Sequence, residues 1–341
     1  MGGDGDGGGG GDGDGGGVGV RDGDGVGIGG GVTGLEVGAL TSSGPSLTSS
    51  LMRSFDVARP LGRTGLTVGP IGLGSSYGVG GRDIERAFER GANFFLWGSR
   101  RRAGFAEGLR ALSPHRDKTV IAIQSYSRVG FLMKPFVTSA LRELRTDYVD
   151  VLGLAWWNDV PSRRILDAAI ALRERGLVRH LMVSCHHRPS FERFLKEPAC
   201  EAWMVRYNAA HPGAEREVFP LLTSDEPARP GVIAFTATRW GSLVDPRKTP
   251  PNEATPRASD CYRFALTHPA VDLVLAGPRD GGELDEALTA IERGPMTSEE
   301  LAWMKRVGAA IRQPPSQERA LGLFDRLSGI CRPRPPQLPA S

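Results

Sequence analysis

Several groups of residues in this chain could do chemistry, and their types and spacing decide which. "NFFLWGSRRR" (93–102) sets Arg100, Arg101 and Arg102 behind an apolar run. A guanidinium stays protonated at any working pH, so it can hold an anion or stabilise an oxyanion but cannot give a proton near neutrality. A run of charge is also the ordinary composition of a solvated loop. Cys185-His186-His187 offers metal ligands or a nucleophile, although no carboxylate or further cysteine stands at a matching spacing. Tyr77 and Tyr126 are candidate general acids, with no lysine or aspartate beside them in the motif. Trp97, Trp156 and Trp240 bring apolar surface, either for a ligand pocket or for packing against loops. Asp260, Cys261 and Tyr262 open a helix and read as structural. Asp147 and Asp150 lie at the wrong end of their strand for catalysis.

The elements that must position these residues alternate from residue 70 onward. Each apolar run ends in small or polar residues and is followed by an amphipathic stretch. "PIGLG" (70–74) precedes "RDIERAFERG", "NFFLW" (93–97) precedes "GFAEGLRAL", and "TVIAIQ" (119–124) precedes "PFVTSALRELR". "YVDVLGLAW" (148–156), "VRHLMVS" (178–184), "AWMVRYN" (202–208), "GVIAFTA" (231–237) and "VDLVLAG" (271–277) continue the pattern. Strands alternating with helices imply parallel βαβ units, and eight of them in one domain point to a closed (β/α)₈ TIM barrel. An open doubly wound sheet is the rival. It would show a glycine fingerprint after its first strand, and "GLGSSYG" (72–78) does not make G-x-G-x-x-G. Gly91 and Gly176 stand where C-terminal caps belong, and Ser162 where an N-cap belongs. Thr297 and Glu300 form a capping box before a helix over 297–312, outside the eight units.

Composition bounds the rest. Residues 1–54 are rich in glycine, aspartate and serine, with too few side chains to bury for ordering to repay the backbone entropy, so a disordered tail is expected. Met52 is an alternative start. The stretch looks like a calcium-binding glycine-aspartate repeat but lacks that repeat's regular apolar residue, which argues against calcium. The barrel is expected over 55–313 and a proline-rich C-terminal tail over 314–341. A net charge of +3 with scattered arginines argues no nucleic-acid surface. No apolar stretch reaches the length of a membrane span, and no signal peptide stands at the N-terminus. Cys185, Cys200, Cys261 and Cys331 have no short paired spacing, which fits a reducing cytoplasm with neither disulfides nor a structural zinc. Nothing in the sequence names an oligomeric state.

"RPLGRTGLTVGPIGLGSSYG" (59–78) resembles the opening of the aldo-keto reductase superfamily. "RGLVRHLMVS", "VRYNAAH" and "VLAGPRDGGELDEAL" resemble later segments of it, in the same order, out to about residue 292. The resemblance implies a barrel of the aldo-keto reductase type that binds NADP(H) in an extended pose. It also implies a catalytic Asp, Tyr, Lys and His at strand ends, and here all four are replaced. The aspartate position holds Leu96, the tyrosine position Arg101, the lysine position Gln124 and the histidine position Ala155. Leucine and alanine neither donate nor accept, and glutamine has no charge to shift a neighbour's pKa. No catalytic residue is therefore carried over.

The cofactor positions are mixed. Ser184 matches a nicotinamide contact, although its partner asparagine is Cys185 and a usual glutamine is Met204. Phe235 matches the ring that stacks on nicotinamide, and Thr236 stands in for a serine at the pyrophosphate. Gly277 and Arg279 fall in the segment for the adenosine phosphate, and Glu286 matches an adenine contact. A position near Glu283 that is usually basic is acidic here. Two functions follow. One is a silent barrel, a pseudoenzyme that binds a nucleotide or another small-molecule ligand, or a partner, with Trp97, Arg101 and Trp156 as ligand-binding candidates. The other is a divergent NADP-dependent oxidoreductase with a different proton donor. No metal site is expected.

Overall fold

The computed structural model describes residues 54–98, 102–222 and 228–312. The tails expected at either end lie outside the described residues apart from Ser54, as do Arg100 and Arg101.

A short antiparallel hairpin, β1 (Arg59–Pro60) and β2 (Thr67–Val68), precedes the barrel. The barrel strands are β3 (Ile71–Gly74), β4 (Phe94–Trp97), β5 (Val120–Ser125), β6 (Val149–Leu154), β7 (Val178–Cys185), β8 (Ala202–Arg206), β9 (Gly231–Phe235) and β10 (Leu273–Ala276). They pair in chain order and all in parallel, and β10 returns to β3 to close the barrel. Every barrel strand lies where the apolar runs predict one, while the β1–β2 hairpin was not expected.

The helices are α1 (Arg82–Glu89), α2 (Ala103–Ala111), α3 (Met133–Leu144), α4 (Arg163–Glu174), α5 (Phe191–Leu195), α6 (Ala214–Glu217), α7 (Ala258–Thr267), α8 (Gly281–Arg293) and α9 (Ser298–Arg312). Gly91 and Gly176 carry positive φ values of 90° and 71°, as C-terminal caps require. Thr297 and Glu300 close the capping box of α9 through reciprocal hydrogen bonds of 2.8 and 3.2 Å. Ser162 does stand at the N-cap of α4, but its hydroxyl makes no cap bond. Its backbone carbonyl instead accepts from Ile165 and Leu166, at 2.8 and 3.0 Å.

Side chains alternate across each strand, and this sorts the apolar residues into two layers. Phe94, Leu96, Ala122, Met182, Met204 and Ile233 fill the barrel interior. The hairpin supplies Leu61 and Val68 to that interior layer. Phe95, Trp97, Ile123, Val183, Cys185 and Trp203 face outward and pack with the helices in the larger outer layer. Residues two apart thus share a layer, and this parity decides which strand-end residues reach the barrel mouth. Among the described residues no helix is long and apolar enough to cross a membrane.

Candidate functional site

A cleft of about 630 Å³ opens at the C-terminal ends of the strands. That is the end where βα loops gather in barrels of this kind, and the volume is ample for a nucleotide. Its floor is made by Leu96, Gln124, Ser184 and Met204, inward-facing residues at or near the C-terminal ends of β4, β5, β7 and β8. From there it reaches across the mouth to the loop after β10 and the first turns of α7 and α8.

The floor is held by neutral groups. Gln124 donates from Nε2 to Ser184 Oγ at 3.4 Å and lies 3.8 Å from Met204 Sδ. Ser184 Oγ also accepts from the Trp156 backbone N–H at 3.1 Å. With its oxygen accepting twice, the Ser184 hydroxyl keeps a proton to donate into the cleft. Tyr126 donates to the other end of Gln124, at 3.3 Å from Oε1.

One wall is a row of aromatic rings in edge contact. Tyr126 meets Trp156 with centroids 5.8 Å apart, Trp156 meets His186 at 5.8 Å, and His186 meets Phe235 at 5.4 Å. Burial, and then the Arg206 charge, hold the His186 pKa below its ordinary value. The cleft is also where unusual backbone collects. Six non-glycine residues among those described have positive φ, and Trp156, Thr236 and Trp240 of these line the cleft. Each costs about 1–3 kcal/mol and marks a backbone held in place by its surroundings. For Thr236 a restraint is visible, since its carbonyl accepts from Asn208 Nδ2 at 2.8 Å. Gly277 is needed for a different reason. A Cβ there would stand 2.3 Å from the Tyr77 ring.

The far end is charged. Arg279 and Glu283 form an ion pair, with Arg279 Nε 2.6 Å from Oε1 and the Arg279 backbone N–H 2.8 Å from Oε2. This hydrogen bond is the main cause holding the Glu283 carboxyl below its usual range. Glu286 is turned to Ser259, whose N–H and Oγ lie 3.2 and 2.6 Å away, and to Arg257. Burial opposes ionisation of Glu286, but these bonds outweigh it and its pKa is lowered.

Most of the sequence candidates meet here. Ser184, Phe235, Thr236, Gly277, Arg279, Glu286 and Trp156 all line the cleft, as do Leu96 and Gln124. Ala155 is buried beside β5, its N–H donating to the Ser125 carbonyl at 2.9 Å, and does not line it. Trp97 needs a correction. It is an outward-facing residue of β4, fully buried against the helices, and takes no part in the cleft. The parity of the strand was the signal, since Leu96 faces in and Trp97 must then face out.

Cys185-His186-His187 also separates by parity. His186 lines the cleft, while His187 lies 2.9 Å from Ser190 Oγ. Cys185 packs in the outer layer, where burial pushes its thiol up to about 11. Tyr262, read as structural, does contribute to the cleft lining, and so do Tyr77 and Trp240. The clamp of Glu283 on Arg279 was missed too, though acid and base at i and i+4 on a helix start are a readable signal.

No family model matches the chain, and no curated protein matches it. Solved structures do. The aldo-keto reductase AKR11C1 from Bacillus halodurans, in its holo form, superposes with a TM-score of 0.63 at 20% identity, over 75% of this chain and 99% of that one. The chain has the fold of the aldo-keto reductases. An aldo/keto reductase from Klebsiella pneumoniae in complex with NADP and acetate matches with a TM-score of 0.60 at 20% identity, over 77% of this chain and 97% of that one. A Klebsiella aldo-keto reductase in complex with NADPH gives the same TM-score and identity. As in that fold, the eight barrel strands close on themselves, so the apolar runs read separately in the sequence lie on one continuous barrel.

Proposed function

We propose that this chain is a divergent member of the aldo-keto reductase superfamily that binds NADP(H) weakly in the cleft and has lost the superfamily's reductase chemistry. The observation that carries the proposal is the floor. At the position of the superfamily's lysine stands Gln124, a neutral amide tied to Ser184 and Met204. Leu96 beside it can neither donate nor accept.

The residues present fit the cofactor, with losses. Phe235 would stack on the nicotinamide, the Ser184 hydroxyl would donate to its amide, and Thr236 would meet the pyrophosphate. Arg279 would take the adenosine phosphate, and Tyr77 and Tyr262 offer aromatic faces on the same side. Against this, Arg279 is the one Lys or Arg among the described lining residues and is paired with Glu283. Buried free thiols at Cys185, Cys200 and Cys261 support work in a reducing cytoplasm.

Calorimetric titration of the full chain with NADPH tests the binding. A Kd in the micromolar range or weaker, about −8 kcal/mol or less favourable, is expected, and Arg279→Ala weakens it. No heat at high NADPH, or no effect of Arg279→Ala, overturns the reading.

A second reading is favoured by two phenols in the cleft. NADPH, when bound, supplies a hydride, and Tyr77 or Tyr126 would then supply the proton. Tyr126 already lies in a hydrogen-bonded chain with Gln124 and Ser184. On this reading the protein is a divergent oxidoreductase.

A further inference from the structure

Among its described lining residues the cleft carries one cation, Arg279, and two carboxylates, Glu283 and Glu286. Among those described lining residues an anionic group has one Lys or Arg to meet, and that arginine is engaged. Glu283 takes both the backbone N–H and the Nε–H of Arg279, at 2.8 and 2.6 Å, and the ion pair extends to Nη2. A peptide N–H beside a guanidinium fork is the donor set a phosphate oxygen takes. The carboxylate therefore stands where a phosphate would. Glu286 does not compete for the same cation, because Ser259 and Arg257 hold it. The pair is also openable. Arg279 is 73% exposed and Glu283 36%, so separating them desolvates neither.

Resting on the nucleotide reading above, we infer that Glu283 is a specificity-determining residue, an internal anion that competes with the ribose phosphate of NADP(H) for Arg279. A nucleotide bearing that phosphate must displace the carboxylate and then lie beside it, like charge against like. A nucleotide without it, NADH, leaves the pair closed and meets neither cost. The cleft as it stands thus gains less from that phosphate than an unpaired Arg279 would allow, although Arg279 still offsets the Glu283 charge beside it.

The test is calorimetry with NADPH and NADH on the full chain, on Glu283→Gln and on the double variant Glu283→Gln, Arg279→Ala. Glu283→Gln keeps the shape of the side chain and removes its charge. NADPH affinity is expected to rise about five- to tenfold, while NADH affinity stays within about twofold, the scale of one surface charge pair. With Arg279 also gone, the gain disappears. A purely structural pair would lower the melting temperature and leave the NADPH-to-NADH ratio alone. If both nucleotides bind and that ratio is unchanged or falls in Glu283→Gln, this inference is overturned and the nucleotide reading survives. If neither nucleotide binds any of the three proteins, both are overturned.

Discussion

Tyr126 donates its hydroxyl to Gln124 Oε1 at 3.3 Å, and the amide of the same glutamine reaches Ser184 Oγ at 3.4 Å. A chain of neutral groups thus runs from the aromatic wall to the floor of the cleft. It organises β5 against β7 without bringing a charge to the place where charge would drive proton transfer. Gln124→Leu should remove both contacts at nearly constant volume. Stability is expected to fall by about 1–3 kcal/mol, the usual net worth of two such bonds. Denaturant unfolding reads this as a lower midpoint with an unchanged slope.

Trp97 and Trp156 should respond in opposite ways. Trp97 is fully buried in the outer layer, so Trp97→Ala is expected to cost about 3–5 kcal/mol while leaving ligand affinity of the folded protein unchanged. Trp156 is 61% exposed and has a φ of 54°. Trp156→Gly relieves a left-handed residue but loses the ring contacts with Tyr126 and His186, so its stability should stay within about 1 kcal/mol of the parent. Its ligand affinity should drop. Melting curves beside NADPH titrations of the two variants settle both points.

The fold was legible because parallel barrel strands are buried on both faces and read as continuous apolar runs such as "TVIAIQ" and "VDLVLAG". Most of the cleft was legible because its residues end those strands. Trp97 was misread because adjacency in sequence was weighed without the two-residue period that sends it outward. Tyr262 was missed for a related reason. It lies on α7, and only the packing of that helix over the mouth brings its ring to the cleft. The locking of Arg279 by Glu283 depends on side-chain rotamers, which spacing suggests but does not fix.

Three histidines make stability depend on pH. His211 has its pKa pushed down to about 4, first by burial and then by Arg206, Arg239, Arg312 and Arg188. His186 and His268 are shifted the same way, again mainly by burial. A histidine whose folded pKa is depressed favours the neutral form in the fold. The stability it contributes is present above the unfolded value near 6.5 and is lost as pH falls toward 4. The melting temperature should therefore decline between those limits, before most carboxylates titrate. His211→Gln should flatten that decline, and an unchanged slope would remove His211 from the explanation.

Arg263 anchors the extra helix. Its guanidinium is 4% exposed and bonds Glu300 at 2.6 and 2.8 Å, and the Gly294 and Pro295 carbonyls at 2.8 and 3.1 Å. Removing the buried guanidinium takes the donor from both carbonyls and the main countercharge from Glu300, which keeps the Thr297 N–H. Arg263→Ala should cost about 3–5 kcal/mol, seen as a lower denaturant midpoint. A loss under about 1 kcal/mol would mean that α9 is held by its apolar face alone.

The proposed function is that of a nucleotide-binding cleft without reductase chemistry. The measurement that tests it most directly is NADPH oxidation by the full chain with a panel of model aldehydes, run long enough to detect very slow turnover. Hydride transfer to a carbonyl needs a proton in the same step, and general acid catalysis is worth about 10²–10⁴-fold. With Leu96 and Gln124 on the floor, no oxidation above the protein-free rate is expected at NADPH concentrations that saturate binding. Steady oxidation that stops on Tyr77→Phe or Tyr126→Phe would contradict it, and would name the residue that took over the proton.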